Sequence, residues 1–149
     1  MGLFSEEHIG FTGTQQGWSP RQLPEIRKFF LYLRSKGGAE WLHEGDCIGS
    51  DAQANEVWRE MLGKIHQHPP DIPDKRANSP FDKTENPLPY LERNRFIVKA
   101  SFLLVATPGQ MGEELRSGTW ATIRYARTLH KPIFIFLPDG TLIKENVSG

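Results

Sequence analysis

Two kinds of hydrophobic pattern take turns along the chain. Five short segments have the length of strands: 102–106 and 133–137 are continuous apolar runs, while 8–12, 40–43 and 64–68 mix apolar and polar residues. The longer stretches between them carry apolar residues at helical spacing. Pro20 opens one in which Leu23, Ile26, Phe29, Phe30 and Leu33 share a face, and Gly37-Gly38 stop it. Asp51 suits the N-cap of a second, which would bury Ala54, Val57, Trp58, Met61 and Leu62. A third helix is predicted over 90–101, and a fourth begins at Ser117-Gly118-Thr119. Strands alternating with helices predict an α/β fold: a single Rossmann-like, three-layer domain over 1–149. Its sheet would be five-stranded and mainly parallel, in the order 3-2-1-4-5. Residues 69–89, rich in proline, are predicted to form a long loop, and 141–149 a small tail.

That strand order fixes where a ligand can sit. In open parallel sheets the crevice lies at the carboxyl ends of the strands, where the order reverses. Here that is between the first and fourth strands, so the turn Gly13-Thr14 and the segment 107–119 should meet there. Ser117, Gly118 and Thr119 begin a helix directly after a strand. Backbone N–H groups without intrahelical partners point outward at such a corner, and the helix dipole favours negative charge. The expectation is a phosphate.

Composition narrows the alternatives. The chain has 149 residues, with 18 basic and 18 acidic side chains, so no global field draws nucleic acid or an anionic membrane. Nucleic acid is therefore not the expected partner. One cysteine, Cys47, excludes an internal disulfide framework. No apolar run has the length of a membrane span, and the first residues lack the basic start of a signal peptide. A cytoplasmic protein with no membrane partner is expected.

Several side chains could carry chemistry, each with a plainer alternative. Thr12, Gly13 and Thr14 could wrap a phosphate or ribose, or form an ordinary turn. In the segment 45–51, Gly45 permits a sharp turn and Asp46 could accept from sugar hydroxyls or bond its own loop. Cys47 reads as a small buried filler. His66 and His68 point to one face of a strand, but no third-ligand motif accompanies them, so no metal site is expected. His68 could touch the ligand, since Pro69-Pro70 follows it. Arg93, beside Asn94, could grip a phosphate in a bidentate way or join a surface ion pair, and Arg76 is a weaker candidate of the same kind. Trp120 could stack on a base, although core packing suits it better.

Four motifs in order resemble one family. They are Gly10-Phe-Thr-Gly-Thr14, Gly45-Asp-Cys-Ile-Gly-Ser-Asp-Ala52, Pro87-Leu-Pro-Tyr-Leu-Glu-Arg-Asn-Arg95 and Ser117-Gly-Thr-Trp-Ala-Thr122. Together they are similar to the SLOG superfamily, the Rossmann-like group that takes in the LOG phosphoribohydrolases and the DNA-processing protein DprA. Arg93, Asn94, Arg95, Ser117, Gly118, Thr119 and Thr122 match the DprA-like pattern. The resemblance implies that Ser117, Gly118, Thr119 and Arg93 contact phosphate, and Asp46 is expected to face the sugar. Gln15 departs from it, because many relatives carry arginine there.

The LOG enzymes carry a Pro-Gly-Gly-x-Gly-Thr-x-x-Glu motif whose glutamate serves N-glycosidic cleavage. Matching Gly118-Thr119 puts Thr122 at that glutamate, and a register starting at Pro108 puts Arg116 there. Neither supplies the acid. Asp46, Glu113 and Glu114 are the carboxylates that could substitute. The expectation is a domain that binds a nucleotide-derived signalling molecule, such as an ADP-ribose derivative or cyclic nucleotide, as a sensor or sponge. It would have no cofactor, and it would form a homo-oligomer, as relatives commonly pair. The alternatives are a nucleotide N-glycosidase with a rearranged acid and DprA-like binding of single-stranded DNA.

Overall fold

A computed structural model describes residues 7–148. The first six residues, on which the signal-peptide reading rests, lie outside the described residues. Seven strands and four α-helices follow one another in the order β1 (His8–Gly13), α1 (Gln22–Ser35), β2 (Trp41–Glu44), α2 (Ser50–Glu60), β3 (Lys64–Gln67), β4 (Lys83–Thr84), α3 (Tyr90–Ala100), β5 (Leu103–Thr107), α4 (Gly118–Thr128), β6 (Ile133–Phe136) and β7 (Leu142–Glu145). They build one sheet in the order β4-β3-β2-β1-β5-β6-β7. All neighbours run parallel except β6 and β7.

The α/β class is as expected, and the five inner strands keep the 3-2-1-4-5 arrangement. The sheet has seven strands rather than five. The tail supplies β7, an antiparallel edge strand that closes back on β6 through the turn at 137–141. The proline-rich segment is not loop throughout: it holds the short strand β4 and a 3-10 turn at Pro73–Lys75.

Side chains alternate across the sheet as a pleated strand demands. In β5, Leu103 and Val105 pack with Ile26, Phe30 and Leu33 of α1 and with Ala54, Val57 and Trp58 of α2. Leu104 and Ala106 face the other way, onto Val98 of α3 and Trp120, Ile123 and Ala126 of α4. Two hydrophobic layers therefore enclose the strands, and burial of these faces drives the fold. Some expected core positions lie outside it. Leu23 is on the exposed face of α1, and Leu62 falls after α2 in a left-handed conformation, exposed to solvent. Helix α2 begins at Ser50, with Gly49 as its cap at φ 89°, two residues before the expected cap at Asp51. Asp51 is buried inside the first turn and accepts from the Cys47 N–H at 3.2 Å.

Candidate functional site

The carboxyl ends of β1 and β5 open into a cavity of about 310 Å³. Gly13, Thr14, Gln15 and Gln16 line one side, Gly109 and Gln110 another, and Ser117, Gly118 and Thr119 its floor, with Tyr90 as a wall. This is the reversal point of strand order, since β2 and β3 lie on one side of β1 and β5 and β6 on the other.

Local bonds hold each part in place. The Thr14 N–H donates to the Thr107 carbonyl at 3.1 Å, tying the first turn to the end of β5. The Ser50 N–H donates to the Thr14 carbonyl at 3.0 Å, so the start of α2 anchors the same turn. On the far side, the buried Gln22 amide donates to the Pro108 and Phe136 carbonyls at 3.0 and 2.8 Å. Two lining glycines are closely packed by side chains. A Cβ at Gly13 would lie 2.3 Å from Thr107 Oγ1, and one at Gly118 would lie 2.7 Å from the Tyr90 ring.

Ser117 is the N-cap of α4, its hydroxyl accepting from the Trp120 N–H at 3.2 Å. The Gly118 and Thr119 N–H groups are then the first-turn donors that neither the helix nor this cap uses. They and the helix dipole face the cavity as a positive end. Among the described residues the lining side chains are all uncharged, with no carboxylate among them. Gln15 Nε2 donates to the Tyr90 hydroxyl at 3.3 Å, and Lys75 Nζ reaches Gln15 Oε1 at 3.4 Å, bringing one cation to the rim. The arrangement can hold an anion and a flat or polar group against Tyr90.

Of the residues singled out in the sequence, the cavity gathers Gly13, Thr14, Ser117, Gly118 and Thr119. Others sit elsewhere. Arg93 is buried at 3 % exposure, its guanidinium donating to the carbonyls of Gly45 and His68 and to Asn94 Oδ1. Asp46 is fully buried at φ 52°, bonded to Arg76 Nε and the Ser79 N–H, both at 3.0 Å. That pair clamps the 76–79 segment onto the β2–α2 turn. Trp120 belongs to the core beside α4, and the Thr122 hydroxyl donates to the Gly118 carbonyl. Thr12 and Pro108 are buried behind the turns they precede. Glu113 is engaged by Arg124 and Arg127 on the flank of α4, and Glu114 is exposed nearby.

Tyr90, Gln16, Gln110 and Gln22 were not among the sequence candidates. Tyr90 stands directly after the Pro-Leu-Pro run that opens α3, and that proline punctuation was the available signal. Beneath the turns lies a buried acidic group. Burial, and after it the neighbouring Asp51, raises the Glu44 carboxyl well above the usual range. Burial likewise raises Asp51, with Arg93 opposing it. Burial pushes the Cys47 thiol up to about 11, which leaves it protonated and inert at neutral pH.

The histidines form a second cluster on the sheet face away from α1 and α2. His43 and His66 are register neighbours in β2 and β3, and His68 follows two residues on. His8 Nδ1 lies 2.9 Å from His43 Nε2, His43 Nδ1 lies 2.9 Å from His68 Nε2, and His66 Nε2 lies 2.6 Å from Glu85 Oε2. Burial, then the neighbouring His68, lowers His43 to about 2. Burial, then His66, lowers His68 to about 3. Both rings are therefore neutral.

No protein-family model and no curated protein matches the sequence. Solved structures do match the fold. A structural-genomics target, TM1055, aligns over 85 % of this chain and 72 % of its own, at 21 % identity and a TM-score of 0.60. DNA processing protein A (DprA) from Streptococcus pneumoniae aligns over 86 % of this chain at 18 % identity and a TM-score of 0.65. DprA from Helicobacter pylori, whose structure concerns its single-stranded DNA binding mode, aligns over 88 % at 19 % identity and a TM-score of 0.61. This chain spans 49 % and 65 % of those two DprA chains. No helix among the described residues is long and apolar enough to cross a membrane. With β1 and β5 flanking the crevice and α4 opening at its floor, the chain has a Rossmann-like fold similar to that of the DprA structures.

Proposed function

We propose that this protein binds a nucleotide-derived molecule intact, as a sensor or sponge, with a phosphate on the Gly118 and Thr119 N–H groups. The observation that carries the reading is the cavity at the β1/β5 reversal point, floored by a helix N-terminus and free of carboxylates. A ligand phosphate gains the helix dipole and two donors there. The sugar and base extend along Gln15, Gln16 and Gln110, with Tyr90 as an apolar wall. N-glycosidic cleavage needs a carboxylate close to the ribose, and the lining supplies none. Asp46 is committed to Arg76 and the Ser79 N–H, which weighs against the hydrolase reading.

Likeness to DprA keeps single-stranded DNA as the second reading. Equal numbers of basic and acidic side chains disfavour it, because binding of DNA backbone draws on clustered Lys and Arg. The deciding experiment incubates the protein with nucleotides, cyclic dinucleotides, ADP-ribose and a short oligonucleotide, desalts it, and identifies what is released on heating by mass spectrometry. One equivalent of an intact nucleotide is the expected result. Recovery of free base and sugar phosphate beyond one equivalent overturns the binding reading in favour of turnover. Recovery of the oligonucleotide alone, with salt-dependent affinity, overturns it in favour of DNA.

A further inference from the structure

Four of the chain's five histidines, all but His130, converge on one site away from the phosphate cavity. One possible ligand nitrogen from each of His43, His66 and His68 lies within 4.8 Å of the other two. The ring centroids of His43 and His66, and of His66 and His68, are 4.5 Å apart. Buried aromatic packing alone would be served by Phe or Leu at these positions. Imidazoles instead must have their nitrogens satisfied, and here they are satisfied largely by one another.

We propose that His43, His66 and His68 bind a divalent transition-metal cation of the zinc class, with Glu85 orienting His66. Two independent observations support a cation over a stack of neutral rings. The first is the outer ring of partners. The second nitrogen of His43 meets His8, and His66 Nε2 meets the Glu85 carboxylate at 2.6 Å. A ligating imidazole characteristically uses its other nitrogen in this way, which fixes the tautomer and the ring plane. The second is access. His66 and His68 line a cavity of about 400 Å³ together with Glu85, Asn86, Arg93 and Phe96. A cation can therefore enter, and a fourth position remains open toward that cavity.

The His43–His68 pair needs little adjustment in distance, while His66, stacked on His68 with its plane 19° away, must turn its ring so that its ligand nitrogen, within 4.8 Å of theirs, converges on the same point. His43 Nδ1 and His68 Nε2, 2.9 Å apart, share one proton between them. Zinc–nitrogen bonds of about 2.0–2.1 Å in tetrahedral array place two ligand nitrogens roughly 3.3 Å apart. Replacing the shared proton by the cation widens the pair by only a few tenths of an ångström. Three imidazoles select zinc, copper or nickel over magnesium or calcium, which prefer oxygen. Sequence alone expected no metal because His66 and His68 lacked a third ligand. The parallel register of β2 and β3 supplies it as His43.

The test uses tag-free protein stripped with a chelator, titrated with zinc by calorimetry and with cobalt by absorption spectroscopy. One equivalent of zinc should bind, and cobalt should give the intense bands of a four-coordinate site. His66→Gln and His68→Gln should each weaken zinc by about a hundredfold or more, and Glu85→Gln by about tenfold to a hundredfold. His130→Gln, in an exposed turn, should bind as the wild type does. His43 is 1 % exposed and its replacement could unfold the chain, so the two rim variants and the zinc-induced rise in Tm carry the result. Absence of a saturable one-equivalent site, or zinc affinity unchanged from the wild type in His66→Gln and His68→Gln, overturns the proposal. Neither result bears on the phosphate cavity, which shares no lining residue with this one.

Discussion

Gly118 and Tyr90 meet so closely that a Cβ on residue 118 would stand 2.7 Å from the Tyr90 ring. The contact couples the floor of the cavity to its wall: a side chain on the first residue of α4 would displace the Tyr90 ring. Gly118→Ala should therefore push Tyr90 off Gln15 and out of position while leaving the core of α4 intact. We expect nucleotide affinity to fall by about tenfold or more, the equivalent of about 1.4 kcal/mol. Calorimetry with the nucleotide recovered from the ligand screen, alongside circular dichroism, checks it. Unchanged affinity would remove this corner from the site.

Arg93 should matter to stability rather than to ligand binding. Its guanidinium is buried and holds the Gly45 and His68 carbonyls, joining the ends of β2 and β3 to α3. Arg93→Ala leaves those carbonyls unpaired and removes the cation that offsets the buried Asp51. Breaking such a buried set costs about 3–5 kcal/mol. Urea unfolding should show that loss as a lower midpoint. A variant of wild-type stability that no longer binds nucleotide would instead make Arg93 a ligand group.

The contrast between these two residues shows what the sequence could disclose. Continuous apolar runs located β5 and β6, because buried parallel strands are nearly continuous in apolar residues. β1, β2 and β3 mix histidine and other polar residues with their apolar ones and were placed by their length and by the helices between them. The corner at Ser117–Thr119 was legible because helix-start chemistry is local. Arg93 was not, because its partners lie 48 and 25 residues away. No local pattern distinguishes an arginine that grips phosphate from one that grips two carbonyls. Edge strands escaped for a different reason. Leu142–Glu145 is largely exposed and β4 has only two residues, so neither carries a hydrophobic period. The third histidine was hidden for the same reason as Arg93: it needs the pairing register.

Cys47 should be unreactive in the folded protein. It is 4 % exposed, and burial followed by the Asp51 charge holds its thiol up at about 11. Labelling with a thiol reagent at neutral pH should be slow in buffer and rise by orders of magnitude in urea. The sign of the linkage follows. A thiol that keeps its proton longer when folded contributes stability present below its ordinary value of 9.0 and lost as pH rises toward about 11. Cys47→Ala should show a smaller loss over that window. Rapid labelling without denaturant would mean the β2–α2 turn opens.

Glu113 provides the sharpest separation of binding from hydrolysis. Its carboxylate is 40 % exposed, with Arg124 Nη1 at 3.0 Å and Arg127 Nη1 at 3.1 Å. The Arg124 hydrogen bond, then that of Arg127, holds it below the usual carboxylate range. A general acid for glycosidic cleavage needs the opposite shift, toward neutrality, and a place beside the ribose. Glu113→Gln should therefore leave nucleotide affinity unchanged and alter stability by no more than about 1 kcal/mol, as for exposed ion pairs. Chromatography of nucleotide incubated with wild type and with Glu113→Gln should show no released base in either. Base released by the wild type and lost in the variant would establish an enzyme with its acid on the flank of α4. That outcome would require the 109–116 segment to fold over the cavity when ligand binds, carrying Glu113 off both arginines.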